Sequence, residues 1–294
     1  MFGHLHKKIF SLFFSALFLS SLYANESIAK KENNNSDVLI DAIVSKWTGD
    51  IDEMIKEGMI RVLVVPSKMM YHIDKGKNSG IFYELVGAFE KSINTRYPSK
   101  KKHIKLHVVF IPVSRDELIP SLIEGRGDIA VADIAITDKR KSLIDFSDPF
   151  FTKINEIVIT GPSSPKIQTL QDLSGKEVFI HQSSSYWEHL EKLNASFSQS
   201  GLDPIKLKRA PEELETEDLL EMVNAGLIGI TVSDDYKAKL WSQILPDIVM
   251  HKDMPIKTDD EFAWMIRKNS PLLKKEINVF SKTHSGYVIM SQRE

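Results

Sequence analysis

The sequence predicts an α/β protein with two lobes, each built on a mostly parallel sheet that is flanked by helices. Short β-branched runs alternate with segments of helical periodicity along most of the chain, an order typical of parallel sheets with helical crossovers. The alternation comes in two sets, and the second set begins near residue 154. Of the 294 residues, 270 follow a candidate signal sequence, enough for two domains of ordinary size.

The N-terminus has the features of a secretory signal. Lys7 and Lys8 precede an apolar run at residues 9–19 and a small and polar stretch at residues 20–24, the order found in cleaved signals. The apolar run is shorter than the roughly twenty residues that cross a bilayer. We therefore predict a cleaved signal peptide at residues 1–24, with retention as an anchor as the alternative. A polar, Asn-rich flexible leader is predicted at residues 25–50.

Composition excludes several classes of protein and partner. Residues 1–24 contain two lysines and no acidic residue, so without them the 38 basic side chains fall to 36, against 40 acidic ones, a net charge of −4. This balance gives no reason to expect a nucleic acid partner. The sequence contains no cysteine, which excludes disulfides, a lipid attached to cysteine and a thiol nucleophile.

The first lobe is predicted at residues 51–153. Residues 60–65 (IRVLVV) form a β-branched run bounded by glycine and proline, typical of a strand buried on both faces. Residues 81–93 repeat apolar side chains at helical spacing. The predicted elements that follow are a strand at residues 104–111, a helix at residues 115–124 and a strand at residues 129–132.

The second lobe is predicted at residues 154–257, and residues 258–290 return to the first lobe. The predicted elements of the second lobe are strands at residues 154–160, 177–181, 205–207 and 228–232, and helices at residues 186–193 and 217–225. The returning segment has a strand at residues 262–266 and a helix at residues 271–282. The chain is thus expected to cross between the lobes twice, near residues 151–156 and 254–260, and to form a two-strand hinge.

The stretch at residues 118–151 carries the first functional signal. It reads LIPSLIEGRGDIAVADIAITDKRKSLIDFSDPFF, and Arg140 follows a predicted strand at the carboxyl edge of the sheet, where open α/β sheets bind ligands. A guanidinium presents a planar fork of donors that matches a carboxylate, and the amides of a helix N-terminus add to it. The alternative is a solvated arginine in the first turn of a surface helix.

This stretch resembles the extracellular solute-binding proteins of family 3, of the polar amino acid-binding type. Further similar motifs follow in the same order, namely EGMIRVLVV at its start, then LQDLSGKEVFI, SSSYWEHL, VSDDYKAKL and FAWMIRKNSPLL. The resemblance covers about residues 55–285. It implies a type II periplasmic binding protein-like fold that closes on a small ligand.

The resemblance also implies a set of ligand-binding residues, namely Arg140, Thr137, Ser184, Ser185 and Asp234. Arg140 corresponds to the clamp for the ligand's α-carboxylate, and Thr137 to the threonine of the same motif. Ser184 and Ser185 correspond to residues that donate to this carboxylate, whereas Asp234 corresponds to the acceptor for the α-amino group. As alternatives, the two serines cap a helix that starts near residue 186, and Asp234 caps one that begins at residue 235.

Two further residues concern the identity of the ligand. Tyr71 follows the first strand and is the candidate for the aromatic contact with the ligand side chain in this family; the alternative is an aromatic ring packed on the lobe surface. Asp133 stands where the family usually has a small hydroxyl residue. Its carboxylate would repel an acidic ligand side chain and attract a cationic one, unless it pairs with Arg115 or Arg126.

Residues 69–93 carry a more specific resemblance. MMYHIDKGKNSGIFYELVGAFEKSI is similar to the solute-binding module at the N-terminus of membrane-bound lytic transglycosylase F. In that family the module precedes a lysozyme-like catalytic domain, and its catalytic glutamate has no counterpart before residue 285. Two hypotheses follow: a periplasmic binding protein that delivers its ligand to an inner-membrane permease of an ABC-type transporter, or a non-catalytic sensing module that recognises a cell-wall peptide.

An exported enzyme is the third and least supported hypothesis. The acidic pairs at residues 234–235 and 259–260 are adjacent in sequence, and adjacent carboxylates rarely converge on one glycosidic bond. His181 and His189 have no partners at the spacing of a zinc site. The sequence has no nucleophile elbow and no glycine-rich nucleotide loop. We therefore predict no catalytic residue, no metal and no cofactor, and we expect a monomer.

Overall fold

The computed structural model describes residues 45–98 and 105–284. The predicted signal peptide and most of the predicted leader lie outside the described residues. The helices are α1 (Ile51–Glu57), α2 (Ile81–Arg96), α3 (Leu118–Ile123), α4 (Asp138–Leu143), α5 (Ser185–Gln199), α6 (Thr216–Asn224), α7 (Asp235–Trp241) and α8 (Pro271–His284). The strands are β1 (Met59–Val64), β2 (His72–Asp74), β3 (Lys77–Ser79), β4 (His107–Pro112), β5 (Ile129–Val131), β6 (Asp145–Phe146), β7 (Phe151–Thr160), β8 (Glu177–Ile180), β9 (Lys206–Arg209), β10 (Ile230–Asp234), β11 (Val249–Phe262) and β12 (Met265–Ile266).

The first sheet has the strand order β4-β1-β5-β12-β6. β1 runs parallel to β4 and β5, and its side chains are buried from Ile60 onward, as the IRVLVV run predicts. β12 is antiparallel to β5 and β6. Helices α2 and α8 pack beside this sheet through Phe89 and Phe280, whose rings both contact Trp264. We call this sheet and its helices lobe 1.

The second sheet has the strand order β11-β7-β10-β8-β9 and forms lobe 2 with α5, α6 and α7. Side chains of β7 alternate between two apolar clusters, as the pleat of a strand requires. Val158 belongs to the cluster that packs against α5, whereas Ile157 and Ile159 belong to the cluster that packs against α6. The second sheet is therefore covered on both faces, as its apolar runs predict.

The α/β class and the two-lobed architecture are confirmed, although the sheets are mixed. Each sheet has two parallel and two antiparallel pairings: β7 is antiparallel to β10 and β11, and β12 is antiparallel to both its neighbours. The β7–β11 pair is antiparallel because β7 carries the chain into lobe 2 and β11 carries it back.

β7 and β11 are the longest described strands, and they pair where the sequence predicts the two crossings. Their pairing runs from Phe151↔Phe262 to Thr160↔Val249 and has four irregularities of register. Lys153 and Asp259 lie in this region with φ values of 60° and 57°, a left-handed conformation that costs energy for residues other than glycine. The regular sheet is thus interrupted at the predicted hinge.

Short strands and one strand boundary differ from the sequence prediction. The β2–β3 hairpin and β6 were not predicted, because strands of two or three residues are too short to show alternation. The strand predicted at residues 262–266 is divided, since β11 ends at Phe262 and β12 begins at Met265. In the part of the chain that the structure describes, no helix has both the length and the apolar character needed to cross a bilayer.

Candidate functional site

A small cavity lies between the lobes and is lined by residues of both. Its volume is about 10 Å³, close to the minimum that holds one water molecule. Five of the seven residues predicted to bind the ligand contribute to its lining, namely Asp133, Arg140, Ser184, Ser185 and Asp234. Arg115, His181, Tyr186 and Lys237 are also among the lining residues. The fold therefore brings together most of the residues that the sequence resemblance implied.

Arg140 is the third residue of α4, the helix that follows β5 on lobe 1. Thr137 is the N-cap of this helix, and its hydroxyl accepts a hydrogen bond from the Arg140 N–H at 3.3 Å. The guanidinium is buried and donates from Nη1 to the Ala135 carbonyl at 2.7 Å and from Nη2 to the Ser183 carbonyl of lobe 2 at 2.9 Å. Among the described residues, no carboxylate forms an ion pair with it.

The electrostatic environment of Arg140 is unfavourable for a cation. Burial lowers the pKa of Arg140 to about 10, because the charged form has lost water; the carboxylate of Glu188 acts in the opposite direction, and the charge of Arg115 adds to the lowering. Carbonyl oxygens satisfy some of its donors but do not neutralise its charge. A buried charge without a counterion is costly, so the site is suited to an anion.

Ser184 and Ser185 lie at the start of α5. The Ser184 hydroxyl accepts from the Trp187 N–H at 3.3 Å and donates to the His181 carbonyl at 2.7 Å, so Ser184 is the N-cap of this helix. The Ser185 hydroxyl donates to Glu156 Oε1 at 2.7 Å. The capping interpretation therefore holds for Ser184. The hydroxyl groups of Ser184 and Ser185 both have hydrogen-bond partners within the protein, and both residues line the cavity.

Lys237, which the sequence analysis did not predict, is a central residue of this cavity. It is the third residue of α7, and its side chain is 3% exposed. Its Nζ contacts the carboxylate of Asp133 and lies 3.3 Å from Asp234 Oδ2. Burial lowers the pKa of Lys237, and the charge of Arg115 adds to this effect, whereas two neighbouring carboxylates favour the ammonium. The i,i+3 spacing of Asp234 and Lys237 is the signal that could have revealed the pair.

Asp133 pairs with Arg115, one of the alternatives that the sequence left open. Arg115 Nη2 lies 3.1 Å from Asp133 Oδ1 and also contacts the carboxylate of Glu215 in lobe 2. Burial acts against the Arg115 cation, but the Glu215 carboxylate outweighs it and the pKa of Arg115 is raised. Arg126 pairs instead with Glu124 at 2.8 Å. Asp133 is therefore shared by Arg115 and Lys237.

Asp234 stands at the N-cap position of α7, but its side chain makes no capping hydrogen bond. Its backbone N–H donates to the Tyr186 hydroxyl at 3.2 Å. Its Oδ1 is buried and has no hydrogen-bond partner among the described residues. Burial, and then the charge of Glu156, raise the pKa of Asp234 well above its usual value. The nearby Tyr186 hydroxyl acts against this rise in pKa. Oδ2 thus faces Lys237, whereas Oδ1 has no donor at hydrogen-bond distance among the described residues.

Tyr71 lies outside this cavity. Its ring stacks on Phe110 with a centroid distance of 5.3 Å, and its hydroxyl donates to Asn78 Oδ1 at 3.0 Å. It lines a separate cavity of about 420 Å³ that also includes Lys68 and Glu217. The ring is buried in the apolar core of lobe 1 and is not packed on the lobe surface, which was the alternative. A contact between Tyr71 and a ligand stays a prediction.

A larger cavity adjoins the small one at Asp133. It has a volume of about 640 Å³, within the range of small-molecule sites. Its apolar lining includes Met70, Phe82, Phe151, Ile154, Ile157 and Tyr236. Three exposed lysines also belong to its lining, namely Lys153, Lys239 and Lys252. The sequence did not indicate this cavity, because its lining comes from the hinge strand β7, from α2 and from α7.

Among the described residues, one group has donors close enough together to hold a metal ion. Glu156, His189 and Asp260 are buried, and their ligand atoms lie within 4.8 Å of one another. Glu156 Oε2 is 2.7 Å from His189 Nδ1. A hydrogen bond therefore explains why these two residues lie close together, without a metal ion. Burial, and then the charge of Glu156, raise the pKa of Asp260 to about 6. The three residues come from β7, α5 and β11, a grouping that spacing along the sequence does not reveal.

Comparison with known families shows to which family this chain belongs. Residues 60–285 match the family described as bacterial extracellular solute-binding proteins, family 3. The chain belongs to this family. The match extends over both lobes and over the ordered motifs from which the resemblance was inferred, apart from residues 57–59 of the first motif.

Curated relatives of this family 3 protein include transglycosylases. The chain is 31% identical over 226 residues to a membrane-bound lytic murein transglycosylase F of Desulfosudis oleivorans, covering 76% of this chain and 45% of the relative. It is 24% identical over 244 residues to the protein of the same name from Pseudomonas putida, covering 83% and 46%. The predicted resemblance to transglycosylase F is confirmed, and the chain spans about half the length of these relatives.

Solved structures of similar fold are amino acid-binding proteins. An ancestral arginine-binding protein bound to arginine aligns with a TM-score of 0.62 and 23% identity, over 77% of this chain and 92% of that chain. A substrate-binding protein of an amino acid ABC transporter from Streptococcus pneumoniae, bound to L-arginine, aligns with a TM-score of 0.61 and 20% identity, over 82% and 94%. These likenesses show the fold, and the predicted type II periplasmic binding protein architecture is confirmed.

Proposed function

We propose that this protein closes its two lobes on a small solute that carries a carboxylate and performs no chemistry on it. The observation that carries the proposal is the guanidinium of Arg140, which is buried between the lobes and bonded to two carbonyl oxygens. Within the part of the chain that the structure describes, it has no carboxylate partner. A carboxylate ligand would supply the missing countercharge and match the planar fork of donors.

Contacts across the cleft support closure as the mechanism. Arg140 of lobe 1 donates to the Ser183 carbonyl of lobe 2, and Arg115 of lobe 1 contacts Glu215 of lobe 2. A ligand held first by Arg140 would gain contacts from lobe 2 only in the closed state, and this differential affinity would drive closure. The irregular β7–β11 pair is the proposed hinge.

The ligand's destination distinguishes two versions of this function. In the first, the protein is exported through the predicted signal at residues 1–24, acts as a monomer in the periplasm and delivers its ligand to the permease of an ABC-type transporter. In the second, the protein is the non-catalytic sensing module of a transglycosylase F-like system, which the identity to such relatives favours. Transporter genes beside the coding region support delivery, and an adjoining lysozyme-like coding frame supports sensing.

A thermal-shift screen of L-amino acids, their derivatives and muropeptides tests the clamp. A ligand at a hundred times its dissociation constant adds about 2.7 kcal/mol of stability, so a true ligand is readily detected. We expect Arg140→Gln to abolish the shift, because the countercharge for the carboxylate is lost. Arg209→Gln, at an exposed arginine of lobe 2, is the matched control and should keep it. Equal binding by wild type and Arg140→Gln would refute the clamp.

A murein-release assay tests the absence of chemistry. We expect the purified chain to release no soluble muropeptide from peptidoglycan, because the proposed site has a carboxylate clamp and no assigned acid–base pair. Release by wild type that persists after repurification, and is lost after a single substitution in the cleft, would make the protein an enzyme and overturn this proposal.

A further inference from the structure

We infer that Lys237 occupies the place of a ligand's α-ammonium group, so that the site accepts a carboxylate whose nitrogen carries no charge, such as an N-acylated amino acid. This inference rests on the proposed function, since it takes Arg140 as the clamp for the carboxylate. It concerns which class of carboxylate the cleft selects and which residue makes that selection.

The position of Lys237 is the first argument. Asp234 is the residue that the family resemblance assigns to the ligand's α-amino group, and Asp133 faces it from lobe 1. The Lys237 Nζ contacts Asp133 and lies 3.3 Å from Asp234. An ammonium group of this chain therefore stands between the two carboxylates that would otherwise receive an ammonium group of the ligand.

The balance of charge is the second argument. Three carboxylates near the small cavity already face cations of this chain: Asp133 faces Lys237 and Arg115, Asp234 faces Lys237, and Glu215 of lobe 2 faces Arg115. A ligand ammonium would add a cation to a buried space that also contains Arg140, and like charges in a buried site repel strongly. Arg140, in contrast, has no carboxylate partner among the described residues. The site therefore suits a ligand carboxylate at Arg140, whereas the carboxylates that could receive a ligand ammonium already face Lys237.

One acceptor in the cavity suits a neutral nitrogen. Asp234 Oδ1 is buried and has no hydrogen-bond partner among the described residues, although Oδ2 of the same carboxylate faces Lys237. An amide N–H can donate to this oxygen without bringing a second cation into the site. An acylated α-nitrogen would therefore give Asp234 Oδ1 a hydrogen-bond donor. A ligand ammonium, in contrast, would have to displace Lys237 from its place beside this carboxylate.

Displacing Lys237 is unfavourable because the residue is tethered and enclosed. A tethered group competes with a free ligand at an effective concentration of the order of mM. The side chain is 3% exposed, and away from Asp133 and Asp234 its charge would lose its nearest partners. A free amino acid would have to overcome both effects.

The adjoining cavity gives an acyl group a place. It meets the small cavity at Asp133 and has a volume of about 640 Å³ with a largely apolar lining that includes Phe82, Phe151 and Tyr236. An acyl substituent on the α-nitrogen would point away from the carboxylate on Arg140. A nitrogen that donates to Asp234 would also lie near Asp133, because Lys237 contacts both carboxylates. The apolar cavity is therefore the space that the acyl group would enter.

The inference is tested with matched pairs of probes on the full chain. L-alanine, L-glutamine, L-arginine and L-phenylalanine are each compared with their N-acetyl derivatives by calorimetry, against wild type, Lys237→Met and Lys192→Met. Lys192 lies on α5 of lobe 2, is exposed, lines neither of the two cavities and is the matched control. We expect wild type and Lys192→Met to bind the best N-acetyl derivative at least tenfold more tightly than its free amino acid. Lys237→Met should shift that ratio at least tenfold toward the free amino acid.

The outcomes separate this inference from the proposed function. If wild type binds a free amino acid as tightly as its acetylated partner, and Arg140→Gln abolishes that binding, the clamp stands and the role of Lys237 is wrong. An unchanged ratio in folded Lys237→Met also overturns it; if that variant does not fold, Lys237→Gln replaces it. If no probe binds at mM concentration, or binding does not depend on Arg140, the proposed function and this inference both fail.

Discussion

At the scale of single residues, the buried charges of Arg61, Asp128 and Arg267 are held by one another. Asp128 is 1% exposed and accepts hydrogen bonds from the Arg61 backbone N–H and from the Arg61 and Arg267 side chains. Arg267 also donates to the carbonyl of Gly49. This network joins three parts of lobe 1 that are distant in sequence. They are β1, the residue directly before β5 and the segment that returns from lobe 2.

Replacing Asp128 is expected to cost much of the protein's stability. Asp128→Ala leaves two buried guanidinium groups without their carboxylate, and breaking a buried pair in this way costs about 3–5 kcal/mol. The free energy of unfolding measured in urea gives the value. Glu177→Gln, which removes an exposed partner of Lys208 at 3.0 Å, should cost less than about 1 kcal/mol. Equal losses in the two variants would contradict the role given to Asp128.

His181 gives the protein a predictable dependence on pH. Burial, and then the charge of Arg115, lower the pKa of His181 from 6.5 to about 4. In the unfolded chain the imidazole binds a proton below pH 6.5, whereas in the folded protein it does so only near pH 4. Its contribution is therefore fully present above pH 6.5 and is lost as the pH falls toward 4.

The variant His181→Gln isolates this contribution. Between pH 7 and pH 4.5, wild type should lose on the order of 2 kcal/mol more unfolding free energy than the variant, since only wild type carries the suppressed protonation. Urea unfolding at the two pH values measures the difference. Parallel losses in wild type and variant would show that His181 does not protonate preferentially in the unfolded state.

At the scale of elements, helix ends position the site. Arg140 and Lys237 are each the third residue of a short helix that follows a strand, α4 after β5 and α7 after β10. The strand fixes where the helix begins, and the first helical turn then directs the side chain into the cleft. The sequence predicted these strands well, because their apolar runs are continuous, and so it located Arg140 before any tertiary contact was known.

Asp50 connects the ends of two helices. It is the N-cap of α1, where its Oδ1 accepts from the Ile51 N–H at 2.8 Å, and it also accepts from the N–H groups of Leu272 and Leu273 in the first turn of α8 at 2.8 and 2.7 Å. One carboxylate therefore satisfies donors of two helices that lie more than two hundred residues apart in sequence.

Asp50→Ala should destabilise the protein by about 1–2 kcal/mol, the upper range for loss of a cap, because donors at two helix ends lose their acceptor. Thermal and urea unfolding measure the effect. Asp52→Ala, at an exposed acidic residue in the first turn of α1, should change stability by only a few tenths of a kcal/mol. A loss no larger than that of the Asp52 variant would show that the shared cap is unimportant.

At the scale of the whole molecule, contacts at the rim of the cleft hold the lobes together. Glu217 of lobe 2 is 2% exposed, and its Oε1 accepts from the Ser67 hydroxyl at 2.6 Å and from the Lys68 N–H at 2.9 Å. Lys68 Nζ lies 2.9 Å from Asp218. These bonds join the two lobes, so in the proposed closing motion they would favour the closed state over the open one.

Glu217→Ala should shift this equilibrium toward the open state. Loss of one or two hydrogen bonds to a carboxylate corresponds to about 1.5–3 kcal/mol, or about a tenfold or greater loss of affinity for a ligand that binds the closed state. Calorimetry measures the affinity, and small-angle scattering should show a larger radius of gyration. Glu213→Ala, at an exposed residue of the same segment, is the control. Unchanged affinity and size in Glu217→Ala would contradict a role of this rim in closure.

The sequence by itself determined the strand and helix order, the family and the position of Arg140. These depend on local periodicity and on a motif within one stretch of chain, since only residues 132–136 separate TDKR from β5. The sequence also placed Ser184 and Asp234 just before helices, and the structure has them at the N-cap positions of α5 and α7. The capping alternative for Ser184 followed from its position before the predicted helix.

Only the tertiary structure decided how the charges of the cleft are paired. Asp133 and Lys237 lie on different lobes and more than a hundred residues apart, yet their side chains touch. Tyr71 lies in the predicted loop region but turns toward Phe110 and Asn78 instead of the small cavity. The physical reason is that periodicity fixes which face of an element is buried, whereas the partner of a buried charge depends on what another lobe places against it.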